Sequence, residues 1–340
     1  MFDGRLGQHP MALRLPIRFS GTGAYVPTEV VTNQHFCDYL DTSDEWIVTR
    51  TGIRERRKAA PAESTSTMAV EAARLALENA GMTADDIDVI VCATATGDCP
   101  FPATGAFIQE KLGGRLTPAF DVAGACAGFI YATTVGAGLL ASGLYEHALI
   151  IGAETLTRYI DPEDRSTCVI LGDGAGAAVL SRAKNPEQAI LHCEMGCDGT
   201  RTKQIWVPAG GSRLPASTTT VAERLHYMKM KGRDVYKFAV IKMQELIDRA
   251  LEATGLTPDD IKLVIPHQSN LRIIESVRER MGLPPEKVAV NITKFGNTSA
   301  ASIPMALDEA RRNGTLQPGD IILMLAIGAG LTWGCMVVRL

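Results

Sequence analysis

Short apolar runs alternate along this chain with longer segments that are compatible with helices. Residues 89–92, 148–151 and 263–265 are apolar at every position, which is typical of strands buried on both faces of a sheet. Strands of this kind, separated by helices, indicate an α/β protein in which helices cover both faces of mixed sheets.

The chain repeats itself at an offset of 174 residues. Residues 76–96 read ALENAGMTADDIDVIVCATAT, and residues 250–270 read ALEATGLTPDDIKLVIPHQSN. Each segment has the order of a helix end, a glycine stop, an acidic turn and a buried strand. The same offset pairs Cys126 with Ala300, so the sequence predicts two copies of one α/β unit. We expect an N-terminal extension followed by a first and a second half, at residues 1–16, 17–184 and 185–340.

Two glycine-containing segments have an alternative interpretation. Residues 321–338 carry no charge over 18 positions, which approaches the length of a membrane-spanning helix. Glycines interrupt this segment at three positions, so the pattern favours two buried strands joined by a glycine turn. Residues 172–176 read GDGAG and lack the complete G-x-G-x-x-G spacing of a dinucleotide-binding loop. We interpret them as a tight turn between strands.

The composition is that of an ordinary soluble enzyme, with 340 residues, 46% hydrophobic and 21% charged. The net charge of −4 gives no bulk attraction to nucleic acid. Residues 1–18 lack the sustained apolar stretch of a secretory signal, so we expect a cytoplasmic protein without membrane insertion, and residues 1–16 are expected to be flexible. The basic run at 54–58, RERRK, is expected to face solvent or an acidic partner.

The eight cysteines do not show the spacing of a disulfide framework, and a reduced cytoplasm is the expected environment. His192, Cys193 and Cys197 suggest a metal site at first sight, but no second ligand pair follows at the spacing of a zinc site. We expect no metal ion and no bound cofactor.

Cys126 lies in the segment 121–130, DVAGACAGFI, just before a helix-compatible stretch at 127–142. The first turn of a helix offers free backbone N–H donors and the positive end of the helix dipole, which favour thiolate over thiol. The small neighbours of Cys126 leave room for an acyl group. Taken alone, the pattern favours a buried core cysteine over a nucleophile.

His267 and Asn297 each lie at the end of a predicted element. His267 follows an apolar strand that ends at Pro266, and Asn297 follows the glycine of the segment 294–297, KFGN. Taken alone, they are a structural histidine and a helix cap. One cysteine with a distant histidine and asparagine is the pattern of a thiol nucleophile with polar partners. Strand ends that face each other across a pseudo-twofold axis would bring the three residues together.

These segments, together with DTSDEWIVTRTGIR at 41–54, GDGAGA at 172–177 and GAGLTWG at 328–334, resemble β-ketoacyl-acyl-carrier-protein synthase III. This family of condensing enzymes belongs to the thiolase superfamily, and the resemblance extends from about residue 17 to residue 340. It implies a five-layered α-β-α-β-α fold of two duplicated halves, a homodimer, and an enzyme that initiates fatty acid synthesis.

The resemblance also implies a reaction sequence. The Cys126 thiolate takes an acyl group from acyl-CoA, and the malonyl group on acyl carrier protein then decarboxylates to a carbanion that attacks the acyl-cysteine. His267 and Asn297 donate hydrogen bonds to the enolate oxygen that forms on decarboxylation. The backbone N–H groups of Cys126 and Ala329 donate to the oxygen of the second tetrahedral intermediate. The product is a β-ketoacyl-acyl carrier protein.

The family pattern assigns five residues to the CoA substrate. Trp46 and Arg165 would hold the adenine between them by stacking and cation–π contact. Arg50 would meet a phosphate, and Gly232 and Asn270 would line the pantetheine channel. Without the resemblance, a packing aromatic at Trp46 and a surface ion pair at each arginine would be equally good interpretations.

Two further residues concern the acyl chain. Phe101 matches a family aromatic that reaches into the acyl pocket of the partner subunit. Ile327 stands where this family usually has a phenylalanine, next to the predicted catalytic centre. The preferred length of the starter chain is therefore open.

Other functions remain as alternatives. An acyltransferase of similar fold would load Cys126 and pass the acyl group to a hydroxyl or an amine, but His267 and Asn297 favour decarboxylative condensation. A degradative thiolase would have a second cysteine where Ile327 and Gly328 stand. A condensing enzyme of a specialised pathway would share every motif. A thiol-bearing binding protein without catalysis would form no acyl-enzyme.

Overall fold

The computed structural model describes residues 14–185 and 187–340. Most of the expected N-terminal extension at 1–16 lies outside the described residues. The strands are β1 Ile17–Tyr25, β2 Glu29–Thr32, β3 Glu55–Lys58, β4 Val89–Ala93, β5 Ala119–Val122, β6 His147–Thr155, β7 Asp173–Arg182, β8 Ala189–Cys197, β9 Ile205–Trp206, β10 Lys229–Met230, β11 Leu263–Pro266, β12 Ile321–Gly328 and β13 Thr332–Arg339. The helices are α1 Asn33–Cys37, α2 Asp44–Thr51, α3 Thr65–Ala80, α4 Thr104–Leu112, α5 Gly128–Ala141, α6 Arg165–Cys168, α7 Thr218–Ala222, α8 Gly232–Thr254, α9 Leu271–Met281, α10 Ile292–Phe295 and α11 Ser302–Arg312.

Two mixed sheets form the centre of the molecule. The first has the strand order β1-β7-β6-β4-β5, and the second has the order β11-β12-β13-β8. In the first sheet, β4 pairs in parallel with both β5 and β6, whereas the remaining pairs are antiparallel. In the second, only β11 and β12 are parallel. The prediction of mixed sheets is confirmed.

Helices cover both faces of each sheet. Helices α5 and α11 pack between the two sheets and contact strands of both. Helix α3 covers the outer face of the first sheet, and α8 covers the outer face of the second. The apolar residues of α5 and of the facing strands form one continuous buried cluster between the sheets. This stacking is the five-layered α-β-α-β-α arrangement that the sequence resemblance implies.

The predicted repeat is visible in the local geometry of the two halves. Helix α3 ends at Gly81 with φ of +65°, and α8 ends at Gly255 with φ of +68°, so glycine serves each left-handed cap. A single helical turn follows in each half, at Ala84–Asp86 and Pro258–Asp260. The buried strands β4 and β11 come next. The two segments therefore fold alike.

The glycines of the segment 172–176 serve a purpose that the sequence interpretation missed. Instead of a tight turn, residues from Asp173 onward begin strand β7. A Cβ at Gly176 would lie 2.7 Å from the backbone nitrogen of Met305, and a Cβ at Gly172 would lie 2.3 Å from the carbonyl oxygen of Phe295. The missing side chains allow helix α11 and the end of helix α10 to pack directly on the sheet.

The basic run at 54–58 was expected to face solvent or an acidic partner, but one of its arginines is buried. Arg56 is 1% exposed and lies over the ring of Phe36, at 4.7 Å from its centroid. It donates hydrogen bonds to the carbonyl oxygens of Val31 and Val169. Strand β3 alternates its side chains between two faces, which turns the middle arginine inward.

The uncharged segment at 321–338 forms two strands, as predicted. Strands β12 and β13 are antiparallel, buried along almost their whole length and joined by the glycine-containing turn at 329–331. No helix in the described part of the chain has the length and apolar character needed to cross a membrane.

Candidate active site

Cys126 lies at the junction of a sheet and a helix. The chain leaves β5, makes a single turn at Ala125–Ala127 and enters α5, which confirms the predicted helix start. Ala125 has φ of +46°, a left-handed conformation that residues other than glycine rarely adopt. This sharp bend presents the half-buried Cys126 at the base of a cavity.

The second half repeats this bend beside the first. Ser299 has φ of +47° and begins the turn Ser299–Ala301, which leads into α11. The two turns contact each other between the sheets. Cys126 therefore has Ser299 next to it, and both residues line the same cavity.

The turn between β12 and β13 approaches Cys126 closely. A Cβ at Gly328 would lie 2.8 Å from the backbone nitrogen of Cys126. Only a glycine allows the two backbones to come this close. Thr332 Oγ1 donates a hydrogen bond of 3.0 Å to the carbonyl oxygen of Gly124 and so ties the start of β13 to the loop before Cys126. Ala329 follows Gly328 and lines the cavity beside Cys126.

His267 lies just beyond the end of β11 and is 1% exposed. Its backbone nitrogen donates to the carbonyl oxygen of Leu325 at 2.8 Å, and its Nδ1 lies 2.7 Å from Ser302 Oγ. The other ring nitrogen, Nε2, has no hydrogen-bond partner among the described residues. Burial lowers the pKa of His267 to about 3, so the imidazole is neutral.

Ser302 Oγ is the side-chain partner of Nδ1 of His267 and also accepts from the backbone nitrogen of Gln268 at 3.4 Å. We assign the hydroxyl proton of Ser302 to the hydrogen bond with Nδ1. A histidine that accepts at Nδ1 carries its proton on Nε2. Nε2–H is then a hydrogen-bond donor at the cavity wall.

Asn297 is held on both sides. Its backbone nitrogen donates to the carbonyl oxygen of Ile170, and its carbonyl oxygen accepts from the nitrogen of Gly172. Its side-chain Oδ1 accepts from the backbone nitrogen of Ser299 at 2.9 Å. Because Oδ1 is occupied, the Nδ2 amide is the group that remains for a ligand.

Two cavities meet at Cys126. The first, here called the channel, has a volume of about 460 Å³ and is lined by Cys126, His267 and Asn297. The second, here called the apolar cavity, has a volume of about 310 Å³ and shares Cys126 and Asn297 with the channel. The remaining walls of the apolar cavity are largely hydrophobic, and its residues include Leu156, Tyr159, Ile205, Trp206, Met228 and Met230.

The protonation state of Cys126 differs from the sequence expectation. Burial raises the pKa of the Cys126 thiol to about 12, and a hydrogen bond with the Ser299 side chain opposes this rise only in part. The position at the start of α5 was expected to favour thiolate. In the free protein the desolvation of the thiolate is the larger effect, so the resting group is a thiol.

Trp46 and Arg50 line the outer part of the channel, and Arg165 lies beside it. The Arg165 guanidinium carbon is 4.8 Å from the centroid of the Trp46 ring. An aromatic base between the two would need roughly 7 Å, since each stacked layer takes about 3.5 Å. Arg165 therefore has to move outward before it could hold an adenine against Trp46.

Gly232 and Asn270 also line the channel. Gly232 begins α8, and a Cβ there would contact only the methyl end of Met230, at 3.9 Å. Asn270 caps α9, and its Nδ2 donates to the carbonyl oxygen of Arg50 at 2.9 Å. The roles of these residues toward CoA stay predictions.

The two residues assigned to the acyl chain lie apart. Ile327 lines the channel at the end of β12 rather than the apolar cavity. Phe101 is 86% exposed and lines neither cavity of its own chain. Its proposed place in a partner subunit stays a prediction.

Sequence reasoning missed several residues around the site. Ser299 and Ser302 follow Asn297 in the same small-residue segment, so their positions at a helix start were a usable signal. Glu154 was not singled out, although it is fully buried and accepts hydrogen bonds from Thr96 Oγ1 and from the backbone nitrogen of Ala95. Burial raises the pKa of Glu154 to about 7.

Comparison with known proteins gives one consistent family. The sequence profile described as 3-oxoacyl-[acyl-carrier-protein (ACP)] synthase III matches residues 120–199, and the profile for its C-terminal part matches residues 251–340. The β-ketoacyl-[acyl-carrier-protein] synthase III of Caldanaerobacter subterraneus subsp. tengcongensis is 49% identical over 94% of this chain and 96% of its own length. That of Symbiobacterium thermophilum is 49% identical over 95% of this chain and 98% of its own.

Solved structures agree with the sequence relatives. The 3-oxoacyl-[acyl-carrier-protein] synthase III of Aquifex aeolicus superposes with a TM-score of 0.88 at 44% identity, covering 95% of this chain and 100% of the other. The corresponding enzyme of Thermus thermophilus gives a TM-score of 0.89 at 44% identity, with coverage of 95% and 99%. The chain therefore belongs to the β-ketoacyl-acyl-carrier-protein synthase III family of thiolase-fold condensing enzymes.

Proposed function

We propose that this protein condenses an acyl-CoA starter with malonyl-acyl carrier protein, releases CO₂ and CoA, and so initiates fatty acid synthesis. The observation that carries the proposal is the convergence of Cys126, His267 and Asn297 on one cavity from distant parts of the chain. The same cavity is lined at its outer end by Trp46 and Arg50.

The first step is acyl transfer to Cys126. The sulfur attacks the thioester carbonyl, the bond to the CoA sulfur breaks, and the Cys126 proton ends on the departing CoA thiolate. A resting thiol fits this balance, because one proton leaves the enzyme as the CoA leaves.

The two cavities suit the two ends of the starter. Gly232 and Asn270 line the channel together with Cys126, which suits a pantetheine arm whose thioester reaches the sulfur. The apolar cavity also borders Cys126 and offers hydrophobic walls to the acyl chain. Trp206, to which sequence reasoning assigned no role, is one of these walls.

The second step is decarboxylation of the malonyl group. The electrons of the breaking carbon–carbon bond move to the thioester oxygen, which becomes an enolate. His267 Nε2–H and Asn297 Nδ2–H are the two donors free to meet this oxygen. A neutral imidazole suits the role, because its low pKa keeps it a donor without a charge change.

The third step is carbon–carbon bond formation. The carbanion attacks the acyl-Cys126 carbonyl, and negative charge develops on that oxygen before the Cys126 sulfur departs. The backbone nitrogens of Cys126 and Ala329 belong to the two turns that the close approach at Gly328 brings together. Together they would form the second set of donors.

The partners follow from this scheme. Acyl-CoA and malonyl-acyl carrier protein are the substrates, with no resident cofactor, in a cytoplasmic setting. Phe101 stands exposed on the loop before α4, which suits insertion into a partner subunit of a homodimer. Sedimentation of an active monomer would reject the homodimer.

The function is tested by mixing the protein with acetyl-CoA, measuring the intact mass, and then adding malonyl-acyl carrier protein. Condensation predicts an acetyl-enzyme followed by release of acetoacetyl-acyl carrier protein and CO₂. An acyltransferase would load but release no CO₂, and a thiol-bearing binding protein would show no mass shift. Either outcome rejects the proposed reaction.

A further inference from the structure

The apolar cavity is bounded on one side by two segments that lie outside the large sheets. The first wall segment, residues 156–164, contributes Leu156 and Tyr159. The second wall segment, residues 217–230, contributes Met228 and Met230. Within the described ranges, the short strand β10 at the end of the second segment pairs only with β9. Side-chain and loop contacts therefore have to hold these walls together.

Asp161, in the first wall segment, contacts two basic side chains of the second wall segment. Arg224 Nε donates to Asp161 Oδ2 at 3.2 Å, and Arg224 Nη2 donates to Asp161 Oδ1. Lys229 Nζ lies 3.1 Å from Oδ2 of the same carboxylate. Arg224 Nη1 also donates to Glu163 Oε1 at 3.1 Å. One carboxylate of the first wall segment thus holds two cations of the second.

The environment of Asp161 makes this cluster stronger than a surface ion pair. Its side chain is 6% exposed, whereas the side chains of Arg224 and Lys229 are 35% and 38% exposed. The hydrogen bond from Arg224 contributes most to holding the pKa of Asp161 well below its usual range. Loss of either cation would leave part of a buried carboxylate without its partner.

The backbone around the cluster supports the same conclusion. Arg224 has φ of +57°, a left-handed conformation that persists where surrounding contacts enforce it. The backbone nitrogen of Met228 donates to the carbonyl oxygen of Tyr159 at 2.7 Å, directly between the two cavity walls. The ion pairs and this hydrogen bond therefore join the same two wall segments.

We propose that Asp161, Arg224 and Lys229 form an ion-pair clasp that fixes the distance between the two wall segments and thereby limits the length of the acyl chain the enzyme accepts. The inference rests on the proposed function, in which the apolar cavity receives the starter chain. None of the three residues lines the cavity, so they act through Tyr159 and Met228 as positioning residues.

The clasp is tested by the ratio of kcat/KM for hexanoyl-CoA to that for acetyl-CoA, with malonyl-acyl carrier protein as second substrate. Asp161→Asn and Arg224→Gln are expected to raise this ratio about tenfold, since a change in pocket length alters discrimination by such factors. Arg182→Gln breaks an ion pair with Glu146 far from the cavity and should leave the ratio unchanged. Thermal melting confirms that each variant is folded.

Met228→Ala separates the two ways in which the inference can fail. This substitution removes most of a side chain that lines the apolar cavity, so it enlarges the cavity directly and should raise the same ratio. If Met228→Ala raises the ratio while folded clasp variants do not, the acyl site stands and the clasp is wrong. If no variant changes the ratio, or if the wild type loads no acyl-CoA, the assignment of the apolar cavity to the acyl chain is wrong. The clasp proposal is then rejected as well. Equal losses for both starters would also overturn the clasp.

Discussion

Ala125 and Ser299 have the same left-handed backbone conformation, with φ of 46° and 47°, at equivalent positions of the two halves. Each residue turns the chain into a helix that runs between the sheets. In the first half the next residue is Cys126, and in the second half it is Ala300. The duplicated bends face each other, and only one of them carries a nucleophile.

The first prediction is that acetyl-CoA labels Cys126 alone. Cys126 is half-buried at the meeting point of the two cavities, whereas Cys99 and Cys197 are exposed but line neither. Intact mass should increase by one acetyl group, and peptide mapping should place it on Cys126. Label that persists in Cys126→Ala would contradict the assignment, and the exposed cysteines serve as internal controls.

The second prediction separates loading from condensation. His267→Ala and Asn297→Ala each remove one donor to the enolate oxygen, which typically costs about 10²–10³ in rate. Both variants should still form acetyl-Cys126, since loading does not use that oxygen. Single-turnover loading and malonyl decarboxylation are measured separately on each. Equal losses in both steps would make His267 a base for Cys126 instead.

The third prediction concerns Ser302, which contacts neither cavity but fixes the His267 ring through Nδ1. Ser302→Ala should lower the condensation rate roughly tenfold through loss of the correct tautomer, and leave loading unchanged. The ¹⁵N chemical shifts of His267 report the tautomer directly. Ser302→Thr keeps the hydroxyl and should restore the tautomer, and an unchanged tautomer in Ser302→Ala would refute this role.

The fourth prediction concerns Gly328. An added methyl group would lie 2.8 Å from the Cys126 nitrogen and 2.7 Å from Thr332 Oγ1, so one of the two turns has to shift. A displacement near 1 Å can cost about 100-fold in rate, and Gly328→Ala should lose condensation by about that factor. Gly199→Ala is the matched control, because a Cβ there meets nothing within 4 Å.

The fifth prediction follows from the low pKa of His267. Burial lowers it to about 3, whereas an unfolded histidine titrates near 6.5. Between these values the unfolded chain binds more protons, so this contribution to stability is present above pH 6.5 and is lost as pH falls. The free energy of unfolding should drop by about 1 kcal/mol more in the wild type than in His267→Gln between pH 7.5 and 5.5.

Urea denaturation of the two proteins at both pH values measures this difference. Glu154 acts in the opposite direction, because burial raises its pKa to about 7 and its contribution is lost as pH rises. Both proteins retain Glu154, so its effect cancels in the comparison. Identical pH dependence in wild type and His267→Gln would show that His267 is not kept neutral by burial.

The parts of the fold that local patterns specify could be predicted. The repeated order of helix end, glycine stop and strand predicts the duplication, and the shared cap geometry of Gly81 and Gly255 agrees with it. The uncharged segment 321–338 was correctly divided into two strands by its glycines. These features depend on neighbours in sequence, which is the information that periodicity contains.

Features that depend on long-range packing were missed or wrongly interpreted. The glycines at 172–176 admit helix α11, which lies more than a hundred residues away in sequence. The protonated state of Cys126 arises from burial by both halves, against the local effect of the helix start. Asp161 and Arg224 form no recognisable motif, because their pairing depends on how two loops fold over the cavity.

The position of β13 has a consequence for protein synthesis. Residues 332–339 form a central strand of the second sheet, between β12 and β8, and they anchor the loop before Cys126 through Thr332. A nascent chain on the ribosome exposes Cys126 long before this strand emerges. The reactive centre is therefore completed only after residues 332–339 have been synthesised, roughly 200 residues later than Cys126.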